Sequence, residues 1–201
     1  MTEPEVLAAA FEVLSSGGPA AVSIRSVAAG LGISPNSVYT YFPSKAALLQ
    51  GMAEELLAEL RPPQRGRPAA PRQQLITLAD RVRRRLLARP GAIAVIMSAP
   101  LTGPNALRLG EDLIAIFVEA GLSVADAARA SYAFQVQVLG SIALAEAGPA
   151  ERSVPELTGF PLTEQGWPVI AGYDSAAQFR WTVRQLLNGL IGPAAGATVA
   201  S

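Results

Sequence analysis

Residues 23–52 read SIRSVAAGLGISPNSVYTYFPSKAALLQGM, and the serine and proline positions in this stretch predict where three successive helices begin. Ser23 can cap the first helix, because its hydroxyl can accept a hydrogen bond from the backbone of the first turn. Ser34 can cap the second helix, with Pro35 at the first helical position, where the missing N–H costs least. Ser44 can cap the third. The stretch therefore predicts short helices separated by tight turns.

The first two of these helices have the spacing of a helix-turn-helix motif, in which the second helix enters the major groove of DNA. Ala28 is small enough to let the two helices cross closely, Gly32 can take the positive φ of a tight turn, and Val38 can lock the second helix onto the first. This pattern recurs by chance in a chain rich in Ala and Gly, so the surrounding sequence has to support it. We expect the second helix to run to about Phe42, whose side chain we assign to the core.

The flanking sequence predicts one helix on each side of the motif and then a connection. Thr2 and Glu5 form a capping-box pattern for a helix that Gly17 ends. The helix that follows the motif is expected over about residues 45–60. Four prolines and a glycine in residues 62–71 then predict a semi-rigid connection.

We divide the chain into a DNA-binding domain over residues 1–60, a linker over 61–71 and a second domain over 72–201. Residues 148–174 hold several prolines and glycines, and we expect them to be irregular with a short helical piece near Trp167. The other helices of the second domain are expected at about residues 72–89, 91–99, 105–120, 123–147 and 175–192.

Composition excludes much of enzyme chemistry. The chain has 201 residues and neither cysteine nor histidine, which removes thiolate and imidazole ligands, two common nucleophiles and the commonest general base. Glu111 and Asp112 form the most obvious carboxylate pair, but adjacent residues of a helix point apart. No apolar run reaches the roughly 18 residues of a membrane helix, and the N-terminus lacks a secretory pattern. We therefore expect a cytoplasmic protein that is not an enzyme and binds no membrane.

Charge is distributed unevenly although the formal net charge is zero. Residues 1–60 hold two basic and six acidic side chains, whereas residues 61–89 hold nine arginines and one aspartate. The basic segment can attract polyanions, but its arginines are also typical of a solvated helix face. If the acidic first domain binds DNA, it neutralises few phosphates per chain, which predicts a shallow salt dependence and a reliance on dimerisation.

The continuation of the motif, YTYFPSKAALLQGM, extends the pattern to a family. Residues 5–60 closely resemble the DNA-binding domain of the TetR family of transcriptional regulators, with its aromatic pair, polar break, lysine and following apolar helix. The second region is similar, more loosely, to the C-terminal domain of the tetracycline-repressor branch over about residues 72–192, best at SAPLTGPNALRLGEDLIAIFVEAGLSVADAARA. The resemblance implies an all-α fold: an N-terminal three-helix helix-turn-helix domain and a larger helical domain for ligand binding and dimerisation.

The resemblance implies roles for the residues around the second helix of the motif. Tyr41 and Lys45 match positions that contact phosphates, and Tyr39 matches one that packs and can touch DNA. At the exposed start of that helix, Asn36 can read adenine or can merely satisfy backbone groups. Arg25 matches a position that reads guanine, and a phosphate contact is the alternative. The predicted DNA-binding residues are Arg25, Ser34, Pro35, Asn36, Ser37, Tyr39, Thr40, Tyr41 and Lys45.

The expected helix over residues 123–147 is almost wholly apolar or small, yet it contains Tyr132 and Gln135. This suits a pocket with few polar groups in an apolar wall, although a core glutamine satisfied by the backbone is the alternative. The tetracycline repressor holds a magnesium–drug complex with a histidine, and this chain has none. We therefore expect a largely apolar small ligand, and neither metal nor cofactor. The predicted ligand-binding residues are Met97, Leu101, Phe117, Tyr132, Gln135, Leu139 and Trp167.

The last predicted helix carries an apolar seam whose members recur at intervals of four, three and four residues. The seam can fill the core of one chain. Alternatively, as the resemblance implies, it joins the 123–147 helix and the symmetry mates of both helices in a four-helix bundle. Such a homodimer would address two half-sites about 34 Å apart on DNA. The predicted dimer residues are Phe179, Val183, Leu186 and Leu190.

The function that the resemblance implies is a ligand-responsive homodimeric repressor. It would bind a palindromic operator in double-stranded DNA and would be released by a small, largely apolar effector. An activator fits the same sequence. The alternative from another class is an all-helical small-molecule-binding or interaction protein, or an enzyme, whose DNA-binding domain is degenerate.

Overall fold

The computed structural model describes residues 1–60, 69–148, 155–172 and 175–192, and within these ranges the chain forms ten helices and no strand. The all-α fold expected from the sequence is therefore confirmed. Most of the linker predicted over residues 61–71 lies outside the described residues. The helices are α1 (Glu3–Ala21), α2 (Ile24–Gly30), α3 (Pro35–Tyr39), α4 (Lys45–Ala58), α5 (Pro71–Leu87), α6 (Ala92–Ser98), α7 (Pro104–Glu119), α8 (Val124–Glu146), α9 (Pro161–Ile170) and α10 (Ala176–Ile191).

Two of the three predicted serine caps are formed in the N-terminal domain. The Ser23 hydroxyl accepts a hydrogen bond from the Ser26 N–H at 3.0 Å and fixes the start of α2. The Ser44 hydroxyl accepts one from the Ala47 N–H at 3.1 Å and fixes the start of α4. Ser34 precedes α3 as predicted, but its side chain makes no capping bond to the backbone.

The turn between α2 and α3 has the geometry of a helix-turn-helix motif. Gly32 has a φ of 67°, which glycine adopts without a steric penalty. Ala28 and Val38 are both buried where α2 and α3 pack together. The three positions that the sequence singles out therefore form the expected close crossing.

Helices α1 and α3 end differently from the sequence-based expectation. In α1, the non-helical backbone of Gly18 makes a kink, and a last turn continues to Ala21. Helix α3 ends at Tyr39, before Phe42, and the N–H groups of Tyr41 and Phe42 both bond to the Val38 carbonyl at 3.0 Å. A proline follows Phe42, and the residue before a proline avoids helical backbone. The Phe42 side chain is buried in the core, as assigned.

Helices α5, α7, α8 and α10 pack against one another to form the second domain, and α6 lies between them and the first domain. Helix α4 contacts α1 on the DNA-binding side and contacts α6 and α7 on the other. Leu56, Leu57 and Leu60 are buried in one apolar core that extends through both domains. Burial of a leucine side chain stabilises the folded state by about 2 kcal/mol, so α4 is firmly packed against both domains.

Helix α9 is the short helical piece that was expected near Trp167 within residues 148–174. None of the residues of α9 is fully buried, and Leu162 and Val169 are exposed on the surface. The helix forms although Pro168 and Gly166 lie inside it and both residue types disfavour a helical interior. Among the described helices, none is both long and apolar enough to span a membrane.

Candidate DNA-binding surface and ligand cavity

The start of α3 lies on the protein surface. Pro35 and Asn36 are exposed, whereas Ser37 is half-buried and places its hydroxyl 3.2 Å from that of Ser34. Thr40, just after the helix, is exposed and donates to the Asn36 carbonyl at 3.3 Å. The Asn36 side-chain amide makes no hydrogen bond to any described residue. Its donor and acceptor groups are therefore free for a base edge.

The aromatic and basic residues after α3 fall into three environments. Tyr39 is 48% exposed and can present both its ring and its hydroxyl to a partner. Tyr41 is half-buried, and its hydroxyl donates to the Met1 carbonyl at 2.5 Å. Lys45 is exposed in the first turn of α4. Arg25 is exposed on α2. The predicted DNA contacts therefore include two exposed cations, Arg25 and Lys45, on the helices before and after α3.

Three described arginines of the basic segment contact the protein itself. Arg85 and Arg89 form ion pairs with Glu59 at 3.7 Å and 3.0 Å. The Arg83 guanidinium lies over the Phe179 ring, 5.5 Å from its centroid, in a cation–π arrangement. We therefore do not include these three arginines in the candidate DNA-binding surface.

A cavity lies among α4, α5, α6, α7 and α8. It offers about 60 Å³ in which the centre of a water-sized sphere can move, which is room for a few small groups. Ligand pockets for larger molecules are several times more spacious, so such a ligand must push the walls apart. The lining residues are Leu57, Leu60, Leu78, Val82, Leu86, Ile96, Leu101, Leu109, Leu113, Phe134, Gln135, Val138 and Leu139.

Three of the predicted ligand-binding residues, Leu101, Gln135 and Leu139, line this cavity. The Gln135 amide donates to the Ser131 hydroxyl at 3.2 Å and is the single polar side chain in the lining. Phe117 is fully buried one layer behind the wall, where it packs edge-to-face against Phe134 with a centroid distance of 6.3 Å. Phe117 can therefore support the wall without touching a ligand.

The other predicted ligand-binding residues lie elsewhere. Met97 is 63% exposed and Tyr132 is 71% exposed, and neither lines the cavity. Trp167 lies on the surface helix α9 and does not line it either. An apolar or aromatic residue in a helix does not reveal which side of that helix faces the interior. Met97 and Tyr132 are exposed, and Trp167 is half-buried outside the cavity wall.

Most of the cavity wall was not anticipated from the sequence. Leu78, Val82 and Leu86 recur every four residues along α5, and Leu109 and Leu113 do so along α7. This spacing could have identified the buried faces. It could not have shown that the two faces meet around one cavity.

The predicted dimer residues differ in their burial. Phe179 and Val183 are buried within the chain itself, on the face of α10 that packs against α5 and α8. Leu186 and Leu190 are half-buried at the edge of that face. The structure therefore leaves only the second pair accessible. Trp181 is 57% exposed on another side of α10, a position that the seam pattern did not include.

Two family models match the chain. Residues 6–52 match the one described as bacterial regulatory proteins, tetR family, and residues 67–191 match the tetracyclin repressor-like C-terminal domain. The first match covers the helix-turn-helix motif, and the second covers all the described helices of the cavity domain beyond α4.

Relatives and solved structures agree with these matches. An HTH-type transcriptional regulator of Saccharopolyspora erythraea is 31% identical over 197 residues, which cover 89% of this chain and 82% of that protein. ActR from Streptomyces coelicolor, in complex with actinorhodin, has a TM-score of 0.83 at 21% identity and covers 98% of this chain and 99% of its own. BioQ with its double-stranded DNA operator has a TM-score of 0.73 at 23% identity, over 95% and 98% of the two chains. The chain therefore belongs to the TetR family of bacterial transcriptional regulators, which are not enzymes.

Proposed function

We propose that this protein is a homodimeric transcriptional repressor that binds a palindromic operator and is released by a small, largely apolar effector. The position of α4 carries the proposal. Lys45 begins this helix next to the motif, whereas Leu57 at its other end lines the cavity. The helix has 14 residues, so its ends are about 20 Å apart. One rigid element therefore connects the cavity to the candidate DNA-binding surface.

In the proposed complex, the exposed start of α3 enters the major groove. The free amide of Asn36 reads a base edge, while Tyr39 and Lys45 hold phosphates. Tyr41 exchanges its hydrogen bond to the Met1 carbonyl for one to a phosphate oxygen. Arg25 reads guanine or holds a phosphate. The complex of BioQ with its operator supports this proposal, because BioQ shares the fold.

The effector binds in the cavity, whose apolar lining determines its chemical class. Leucine and valine side chains form most of the wall, so an apolar surface gains most from burial there. The Gln135 amide can orient one polar group of the effector once it leaves the Ser131 hydroxyl. The complex of ActR with actinorhodin supports a small-molecule site in this fold.

Dimerisation uses the accessible faces of α8 and α10. Leu186 and Leu190 are half-buried at the edge of the core, and exposed Tyr132, Val136 and Trp181 extend the apolar surface of these helices. Burial of such residues against a second copy removes apolar area from water. The two recognition helices of the dimer then face half-sites about 34 Å apart.

Release follows from the size of the cavity. A ligand larger than the available space separates the helices that line it, and α4 is one of them. The displaced α4 moves the recognition helix, and the two helices of the dimer lose the spacing of the operator. Because the coupling is reciprocal, operator binding weakens effector binding by the same factor.

The proposal is tested by selecting bound sequences from a pool of random duplex DNA and sequencing them. We expect an enriched palindrome with half-sites about one helical turn apart. The matched control is the double variant Tyr41→Phe/Lys45→Ala, which keeps the ring at position 41 packed against the core, removes both proposed phosphate contacts and should enrich no sequence. A folded dimer of the unsubstituted chain that enriches no sequence would contradict the repressor function and favour an interaction protein.

A further inference from the structure

We infer that the Glu54 carboxylate is the positioning group that couples the cavity wall to the DNA-binding domain. Glu54 lies on α4, and it holds the first turn of α7. The inference rests on the proposed function, because it assigns to one side chain the transmission between effector and operator.

Helix α7 starts without a cap of its own. Gly103 precedes the helix and has no side chain to accept a hydrogen bond, and Pro104 at the first position has no N–H. The next two N–H groups, of Asn105 and Ala106, donate to the two carboxylate oxygens of Glu54 at 2.7 Å and 3.0 Å. These groups normally bond to a capping side chain just before the helix. Here a residue of α4 supplies the acceptor.

The fit between Glu54 and α7 is close. A Cβ atom on Gly103 would lie 2.4 Å from the Glu54 Cδ. The backbone of Gly103, with φ of −78° and ψ of 169°, is extended and open to any residue. The absence of a side chain at this position is therefore required by the approach of the carboxylate and not by the backbone.

Further hydrogen bonds hold the same junction. The Asn105 side-chain amide donates to the Glu54 carbonyl at 3.1 Å, and the Gln50 amide donates to the Thr102 hydroxyl at 3.3 Å. The Glu54 carboxylate is the charged member of this set, and a negative charge at a helix N-terminus is favoured by the aligned peptide dipoles. It is therefore the strongest single link between α4 and the start of α7.

The contact between Glu54 and α7 connects the cavity wall to the candidate DNA-binding surface. Helix α7 carries Leu109 and Leu113 of the cavity wall, and α4 carries Lys45 at the candidate DNA-binding surface. Apolar contacts between helices are non-directional and permit sliding, whereas a carboxylate that accepts two N–H bonds fixes direction and distance. A displacement of α7 by an effector therefore pulls α4 through Glu54.

The absence of cysteine in the chain allows a defined occupant to be placed in the cavity. The substitution Leu139→Cys puts one thiol in the wall on α8, away from the Glu54 junction. Its thiolate attacks benzyl methanethiosulfonate, forms a mixed disulfide with the benzylthio group and releases methanesulfinate. Methyl methanethiosulfonate gives the matched small adduct. The measured quantity is the ratio of the operator affinities of the methyl and benzyl adducts.

In the Leu139→Cys protein we expect the benzyl adduct to bind the selected operator about tenfold more weakly than the methyl adduct. With Glu54→Ala added, the ratio should fall to about twofold or less, because α7 no longer pulls α4 and only the direct contact of the adduct with Leu57 of α4 still displaces that helix. Glu55→Ala is the matched control, because Glu55 is adjacent to Glu54 on α4 and makes no hydrogen bond or ion pair with the described residues. It should keep the full ratio.

A second variant separates coupling from stability. Glu54→Ala/Gly103→Ser gives α7 a cap of its own, so its thermal stability should recover while the affinity ratio stays low. If the affinity ratio recovers together with the stability, the inference is overturned. It is also overturned if the ratio with Glu54→Ala equals that of the Leu139→Cys parent, or if the ratio of the parent itself is one. If no adduct prefers the operator to a scrambled duplex, the proposed function fails and the inference fails with it.

Discussion

The helix-turn-helix region and the cavity domain are both helical, but different interactions specify them. In residues 23–52, serine caps and a positive-φ glycine set the helix boundaries within a few residues of sequence. The cavity instead draws its lining from five successive helices, α4 to α8, whose lining residues are spread between Leu57 and Leu139. Local hydrogen bonding thus determines the candidate DNA-binding surface, whereas tertiary packing determines the cavity. Substitutions in the two regions should therefore affect stability and operator binding differently.

The largest loss of stability should come from a substitution in the core of the helix-turn-helix region. Phe42→Ala should lower the free energy of unfolding by about 3–5 kcal/mol, because the ring is buried and packs closely against Gly51. Urea unfolding followed by circular dichroism measures the loss. Tyr39→Ala, at a half-exposed position three residues earlier, should cost much less. Equal losses in the two variants would show that the ring does not hold the motif together.

A similar substitution in the cavity wall tests the second region. Leu113→Ala should lower the free energy of unfolding by about 2–5 kcal/mol and enlarge the cavity, since Leu113 is buried on α7. Leu107→Ala lies on the same helix at an exposed position, and it should change stability by no more than about 0.5 kcal/mol. The operator sequence selected by the Leu113 variant should not change. A changed sequence would mean that the cavity domain itself reads DNA.

Arg25 tests whether the first region reads bases at this position. Arg25→Ala should weaken operator binding by about 1–3 kcal/mol, with unchanged stability, because the side chain is exposed. Arg25→Lys decides between the two contacts, since lysine can hold a phosphate but cannot pair bidentately with guanine. Selection of random duplexes by the lysine variant should show a relaxed preference at one base pair per half-site. An unchanged preference would indicate the phosphate contact.

The smallest change in stability should come from the helix caps, and it should differ between Ser23, which makes its capping hydrogen bond, and Ser34, which does not. Ser23→Ala should lower stability by about 1 kcal/mol, because Ser23 accepts the capping bond of α2. Ser34→Ala should change stability by no more than about 0.5 kcal/mol, because Ser34 makes no capping bond. Thermal unfolding of both variants measures the difference. A larger loss at Ser34 would reverse the assignment.

The sequence predicts the first region well because its signals are local. Ser23 and Ser44 cap the helices that they were expected to cap, and Gly32 adopts the expected turn. The end of α3 was predicted slightly too late, because a signal such as Pro43 locates the end of a helix only to within a few residues. The contacts of this surface with DNA stay predictions.

The cavity was harder to predict because apolar composition does not tell which face of a helix is buried. Met97 and Tyr132 were expected at the ligand and are exposed, while Leu57 of the connecting helix lines the cavity. The apolar seam of α10 was ambiguous in the same way, since Phe179 and Val183 fill the core of the chain. These outcomes depend on how helices pack across long sequence separations, which periodicity along one helix does not encode.

Sequence-specific DNA binding is tested most directly by the specificity ratio of the purified protein, measured by titrating the selected palindrome and a scrambled duplex of the same length at one salt concentration. We expect two chains per palindrome and an affinity at least about 10³-fold higher than for the scrambled duplex. Equal affinity for the two duplexes would contradict it, because the exposed start of α3 would then read no sequence.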